Sequence, residues 1–220
     1  MSEIQPGELK TERSKESKLI IQLAGGAIFG GLSTVVALVL SPIINASRIQ
    51  GWGIALFDPT SWVWIICFLI FGALAGVTSC VTGSFGLLII DPTGVGPAFK
   101  FLATIPHIII PFLVLRLREK GIVNSQKLKI PRNFIFSGIL SLIVRIIAMI
   151  GLNLLFVATL WADFYMYINL EIIGLGGITG LSAILIFTPI INLYRVLWIL
   201  LFLTVLYLCL NWMKNSDLGE

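Results

Sequence analysis

The chain has 220 residues, of which 57% are hydrophobic and only 12% charged, with a formal charge of +4. A soluble domain has about a quarter of its residues charged, so a water-soluble globular fold is excluded. Apolar runs long enough to cross a bilayer, which takes about 20 residues, recur along most of the length, and the chain reads as an integral membrane protein. Its basic residues cluster beside those runs, so membrane topology explains the excess charge and nucleic acid is not implied as a partner.

Residues 1–18, "MSEIQPGELKTERSKESK", are polar and mixed in charge. They lead into a full-length span and not into a short cleavable one, so they read as a solvated, disordered cytoplasmic tail and not as a signal peptide. The first span covers about Leu19 to Leu40. Within it "LAGGAIFGGLS" carries four glycines, each of which costs a water-exposed helix about 1 kcal/mol relative to alanine. Residues four apart share a helix face, so Gly26 stacks over Gly30 and Ala27 over Gly31. Two adjacent ladders of small residues result, and such ladders let another backbone approach closely where lipid supplies no hydrophobic drive. Packing within the same bundle and docking of a partner subunit are both open at this point.

A loop at 41–60 follows, with Trp52 and Asp58 suited to a membrane interface. The stretch 61–90 reads either as one long span or as two short ones, and charge topology chooses. Arg116, Arg118, Lys120, Lys127, Lys129 and Arg132 form a basic loop that belongs on the same side as the basic N-terminus. An even number of spans must precede it. The stretch is therefore predicted to be a helical pair, about 60–71 and 73–90, turning at Gly72. Further spans are predicted at 95–117, 134–160 and 181–210, with an outer loop at 161–180 and a cytoplasmic tail at 214–220. The expected fold is all-α: six transmembrane helices in one bundle over residues 19–213, both termini cytoplasmic.

Three cations fall within spans, Lys100, Arg145 and Arg195, and an intramembrane charge usually faces a cavity, a partner or water. Lys100 is near a helix end and could snorkel; Arg145 is too deep for that and could pin neighbouring helices. Asn153 is about 10 Å below the outer end of its helix and Asn192 about 15 Å below the start of the next, at about 1.5 Å per residue. Asn192 and Arg195 share a face. These groups could line a pocket for a flat heteroaromatic or amide-bearing solute, or the asparagines could bond to each other between helices. His107 reads as a packed histidine. Cys67, Cys80 and Cys209 read as small core residues. No catalytic set, metal-ligand spacing or phosphate-binding loop is visible, so neither an enzyme nor a bound cofactor is expected.

Several segments resemble the substrate-binding S components of energy-coupling factor (ECF) vitamin transporters, the riboflavin-type branch above all. "FGALAGVTSCVTG" is similar to that family's third helix and "GPAFKFLATIPHIIIPFLVLRLREK" to its fourth. "GILSLIVRIIAMIGLNLLF" and "TPIINLYRVLWILL" are similar to its fifth and sixth. The resemblance implies a multi-pass cell-membrane protein that captures a vitamin from outside and pairs with a transmembrane T component and two ATP-binding subunits. It implies that Gly26, Ala27, Gly30 and Gly31 form the docking surface. It also implies a substrate site of Asn153, Asn192, Arg195 and Lys100, with Trp52 and Trp161 available in the outer loops for stacking. Arg195 stands where the family has lysine, and a planar guanidinium is not its equivalent. A ligand-free membrane scaffold and a solitary secondary vitamin carrier are the rival readings.

Overall fold

The structure is a computed structural model that describes residues 6–48, 54–118, 131–159, 170 and 174–216. Its helices are α1 (Pro6–Val39), α2 (Ser41–Ala46), α3 (Thr60–Phe71), α4 (Ala73–Leu87), α5 (Val95–Thr104), α6 (Pro106–Arg118), α7 (Pro131–Thr159) and α8 (Gly180–Ser216). Arg48 and Ala55 form an isolated antiparallel bridge. Among the described residues, four segments are long and apolar enough to cross a membrane: Glu16–Val39, Val95–Leu117, Arg132–Phe156 and Gly180–Leu201.

The N-terminal reading needs correction. Residues from Pro6 onward belong to α1, continuous with the first span. Proline is well suited to the first position of a helix, and the lysines, glutamates and arginine that follow are good helix formers. A polar composition does not by itself preclude a helix. The helical pair, by contrast, forms where it was expected. Gly72 separates α3 from α4 with φ +96°, a left-handed backbone open to glycine and strained for other residues. α4 ends at Leu87, three residues short of the predicted limit.

The chain forms two compact units, Met1–Ala46 with Asp58–Met149, and Ser47–Phe57 with Ile150–Glu220. In the first unit α3 and α4 fold back on each other and both lie along α1. The order of contacts fixes the directions. A Cβ built on Gly26 would meet Thr78 and the Ala75 carbonyl, one on Gly30 would meet Thr82 and the Gly83 nitrogen, and one on Gly86 would meet Thr34. Positions rise together, so α1 and α4 run parallel. Gly76 approaches Phe68 and Gly83 approaches Trp64, so α3 runs antiparallel to α4. At the turn, the Gln22 side-chain amide donates to the Phe71 carbonyl oxygen at 2.7 Å, satisfying a helix-end acceptor that has no partner in its own helix.

At the centre of this unit the Trp64 indole N–H donates to Ser33 Oγ at 2.7 Å, and that hydroxyl donates to the Gly30 carbonyl oxygen at 2.6 Å. Trp64 is fully buried among Ala37, Phe68, Cys80, Leu87, Ile108 and Leu115. A buried indole N–H needs an acceptor, and Ser33 supplies it.

In the second unit, Leu170, Ala183, Ile184, Phe187 and Ile191 form a core against which Ile54, Leu56, Leu175 and Ile178 pack. Segment 47–57 closes on itself: Leu56 N–H donates to the Ser47 carbonyl at 2.9 Å and Phe57 N–H to Ser47 Oγ at 3.2 Å.

Ser33→Ala is expected to cost about 1–3 kcal/mol, because it leaves the indole N–H buried without an acceptor. Gly83→Val should cost more, since a Cβ there collides with both Trp64 and Ser33. Equilibrium unfolding in detergent micelles measures both, and a Gly83→Val protein as stable as the parent would refute the packing described.

Candidate functional site

Lys100, expected in a ligand set, has a partner of its own. Its ammonium lies 2.9 Å from Asp58 Oδ2 and donates to Asp58 Oδ1 at 3.1 Å and to Thr60 Oγ1 at 3.2 Å. Thr60 is fully buried, and its hydroxyl and N–H both donate to Asp58 Oδ1, at 2.7 and 3.2 Å. One turn on, Thr104 Oγ1 donates to Ser61 Oγ at 3.0 Å. These bonds tie α5 to the start of α3. An ammonium at this depth is costly unless paired, and Asp58 meets that need from within the chain. Lys100 is an internal ion-pair partner, and a ligand carboxylate there would compete with Asp58 for the ammonium.

Asp58 belongs to a motif that occurs twice, Asp58-Pro59-Thr60 and Asp91-Pro92-Thr93. At the second site Asp91 Oδ1 accepts from Thr93 N–H at 3.1 Å and from the Thr93 hydroxyl at 2.5 Å, and Asp91 Oδ2 accepts from Gly96 N–H at 2.9 Å. Each aspartate lies just before a helix and accepts from a backbone N–H of its first turn, Thr60 of α3 and Gly96 of α5, where unbonded N–H groups and the helix dipole favour negative charge. The first also receives Lys100.

Asn153 and Asn192 are both buried, 6% and 3% exposed. The Asn192 amide donates to the Thr188 carbonyl oxygen one turn earlier on α8, at 2.7 Å. The observed helix limits change the expected depths: counted from Thr159 and Gly180 they are about 9 Å for Asn153 and about 18 Å for Asn192. Arg195 is half-buried, and its Nη2 donates to the Ala55 carbonyl oxygen. Ala55 is outside any helix, so its carbonyl lacks a helical partner, and a guanidinium with five donors can claim it. Arg195 thus fastens segment 47–57 to α8, a role the sequence did not suggest. Trp52 and Trp161 lie outside the described residues.

The four proposed docking residues separate into two pairs. Gly26 and Gly30 are buried against α4, where a Cβ on Gly26 would come within 2.6 Å of Thr78 and one on Gly30 would collide with Thr82. Their smallness is used inside this chain, and their assignment to a partner surface is corrected. Ala27 is exposed, and Gly31 has nothing within 4 Å of an added Cβ.

A pattern missed in the sequence runs along α7. Ser137, Ser141, Arg145, Met149 and Asn153 recur at four-residue steps, and all five are buried while the residues between them are exposed or half-buried. Four of the five are polar. Ser137 and Ser141 donate to carbonyls one turn back, at 2.7 and 2.6 Å, the local bond by which serine hides its hydroxyl in a membrane helix. Arg145, at 2% exposure, is the charged member of the stripe. The four-residue spacing in "SGILSLIVRIIAMIGLN" is the signal that could have found this stripe.

No family model matches the chain, and no match was found among curated proteins or solved structures.

Lys100→Met is expected to destabilise the protein by about 3–5 kcal/mol, because it strands a largely buried carboxylate, whereas Lys100→Met with Asp58→Asn should recover much of that loss. A double-mutant cycle on unfolding in detergent reads the coupling. Strictly additive effects would show that the pair contributes nothing.

Proposed function

We propose that this chain is the substrate-capture subunit of an ECF-type vitamin importer, a six-span protein of the cell membrane with both termini in the cytoplasm. The observation that carries the reading is the division of small residues on α1. One ladder is filled by α4, and the second, Ala27 over Gly31, is open. A helix that needed small residues only for its own bundle has no use for a second ladder, whereas a helix that docks a partner does. The partner proposed is a transmembrane T component, which couples to two ATP-binding subunits that supply the energy. The capture subunit itself binds and does not catalyse.

The turn at Gly72 supports the topology, because it gives the even number of spans before the basic loop that the positive-inside rule requires. The hairpin lies along α1 from the level of Thr34 to that of Gln22, about 18 Å of membrane depth. The buried carboxamides Asn153 and Asn192 support a polar ligand in the second unit. A riboflavin-like heteroaromatic, with edges that accept and donate hydrogen bonds, is the proposed solute. The apolar residues of the two outer loops that pack over the first turns of α8, Leu56 and Leu175 among them, are the proposed lids.

One observation favours a ligand-free scaffold as the second reading. Lys100 is joined to Asp58, and Arg195 to Ala55, by bonds that hold the chain itself together.

Purification in mild detergent, followed by absorbance and mass spectrometry of any retained small molecule, separates the two. Retained flavin, or thermal stabilisation by flavin that Asn153→Ala abolishes, is the outcome expected of a capture subunit. A protein that is empty and indifferent to a vitamin panel is the outcome expected of a scaffold. Ala27→Leu with Gly31→Leu should abolish copurification of the transporter partners and leave ligand retention intact; persistence of both would overturn the docking assignment.

A further inference from the structure

Five hydroxyls in these helices are bonded to their own backbone. Thr34, Thr82, Thr104, Ser137 and Ser141 each donate to the carbonyl four residues back, at 3.3, 2.8, 2.8, 2.7 and 2.6 Å. Thr188 on α8 does not follow them. It is 1% exposed, and its Oγ1 is buried with no hydrogen-bond partner among the described residues. A helical threonine can turn its hydroxyl to the carbonyl three or four residues back, yet neither Leu185 nor Ile184 receives it. A buried hydroxyl in that condition is costly, and such a group marks a place where water or a ligand completes the structure.

The backbone beside Thr188 is irregular as well. Pro189 lies inside α8, and proline has no N–H to give to the carbonyl four residues earlier, that of Leu185. The Thr188 carbonyl, by contrast, is engaged, since the Asn192 amide donates to it at 2.7 Å. Thr188 and Asn192 are thus joined neighbours, both buried on α8, one turn or about 6 Å apart along the axis. Counted from Gly180, Thr188 is about 12 Å along the helix and Asn192 about 18 Å. The unpartnered hydroxyl therefore adjoins a carboxamide already assigned to the solute.

The chemistry selects the group that Thr188 meets. A carboxylate or phosphate brings a charge that one neutral hydroxyl does not offset in apolar surroundings. A carbonyl accepts from the threonine but gives nothing to its oxygen. A neutral hydroxyl does both, matching one donor and the acceptor lone pairs beside it. Ring edges, whose donors and acceptors are separate atoms, suit a carboxamide such as Asn192 instead. We propose that Thr188 is a specificity-determining residue that bonds a neutral hydroxyl on a chain attached to the solute ring. The inference rests on the capture reading and narrows its substrate class, from any flat heteroaromatic to one bearing a hydroxylated side chain.

Two probes with the same ring test this: riboflavin, which carries a polyol chain, and lumiflavin, which has a methyl group in its place. Binding to the full chain in detergent is followed by flavin fluorescence and thermal shift. The parent is expected to bind riboflavin more tightly than lumiflavin. Thr188→Val keeps the side-chain shape and removes the hydroxyl, and it is expected to weaken riboflavin about ten-fold while leaving lumiflavin unchanged. Thr188→Ser, which restores a hydroxyl, should recover most of the loss. Where Thr188→Val fails to fold, Thr188→Ala is read in the same way. A stabilised Thr188→Val protein with undiminished riboflavin binding would reduce Thr188 to a packing defect or a water site and overturn the proposal. Equal weakening of both probes, or equal affinity of the parent for both, would overturn it too. Either result, with riboflavin binding still abolished by Asn153→Ala, leaves the capture role standing. A parent indifferent to both probes rejects the flavin reading and this inference together.

Discussion

The first unit depends on the absence of side chains where α1 meets α4. At Gly26, Gly30, Gly83 and Gly86 a single methyl group would strike the opposing helix or the groups wedged against it. Inside a bilayer the association of helices gains nothing from expelling water, so contact area and hydrogen bonds must hold them together. Both require the backbones to come close. Close approach also decides where polar atoms go: Trp64 reaches Ser33 only because Gly83 leaves it room, and the hydroxyl reaches the Gly30 carbonyl because α1 is a helix there. Packing and polar satisfaction in this unit are one arrangement. Loss of either exposes the other.

The same economy governs the charged groups. An intramembrane cation announces itself in sequence as a functional candidate, yet Lys100 and Arg195 are both engaged by their own chain, with a carboxylate in one case and a backbone carbonyl in the other. In each case the bond fastens a segment outside the regular spans. Lys100 secures the entry to α3, and Arg195 secures segment 47–57. Charge at these positions works as a fastening within the chain. Arg145 is at mid-span on a helix whose buried face is polar along most of its length.

Much of the fold was legible in the sequence. The hairpin at Gly72 followed from counting spans against the basic loop, because the sidedness of lysine and arginine constrains parity even where hydropathy is ambiguous. The N-terminal extension of α1 was not legible, since residues 6–18 lack the apolar pattern that advertises a helix and carry only propensity. Ion pairing of Lys100 was hidden by the 42 residues that separate it from Asp58. The two ladders on α1 have the same spacing and the same residue types, so only the position of α4 tells which one is filled. The α7 stripe was present in plain four-residue steps, but individual serines in a membrane span carry little signal until their burial is known.

The turn at Gly72 has a consequence for how the unit holds together. α3 has 12 residues and α4 has 15, or about 18 and 22 Å of helix, against a hydrocarbon thickness of about 30 Å. Neither is among the segments long enough to cross a bilayer alone. With one glycine between them they act as a pair, and α1 carries the seam of small residues against which that pair closes.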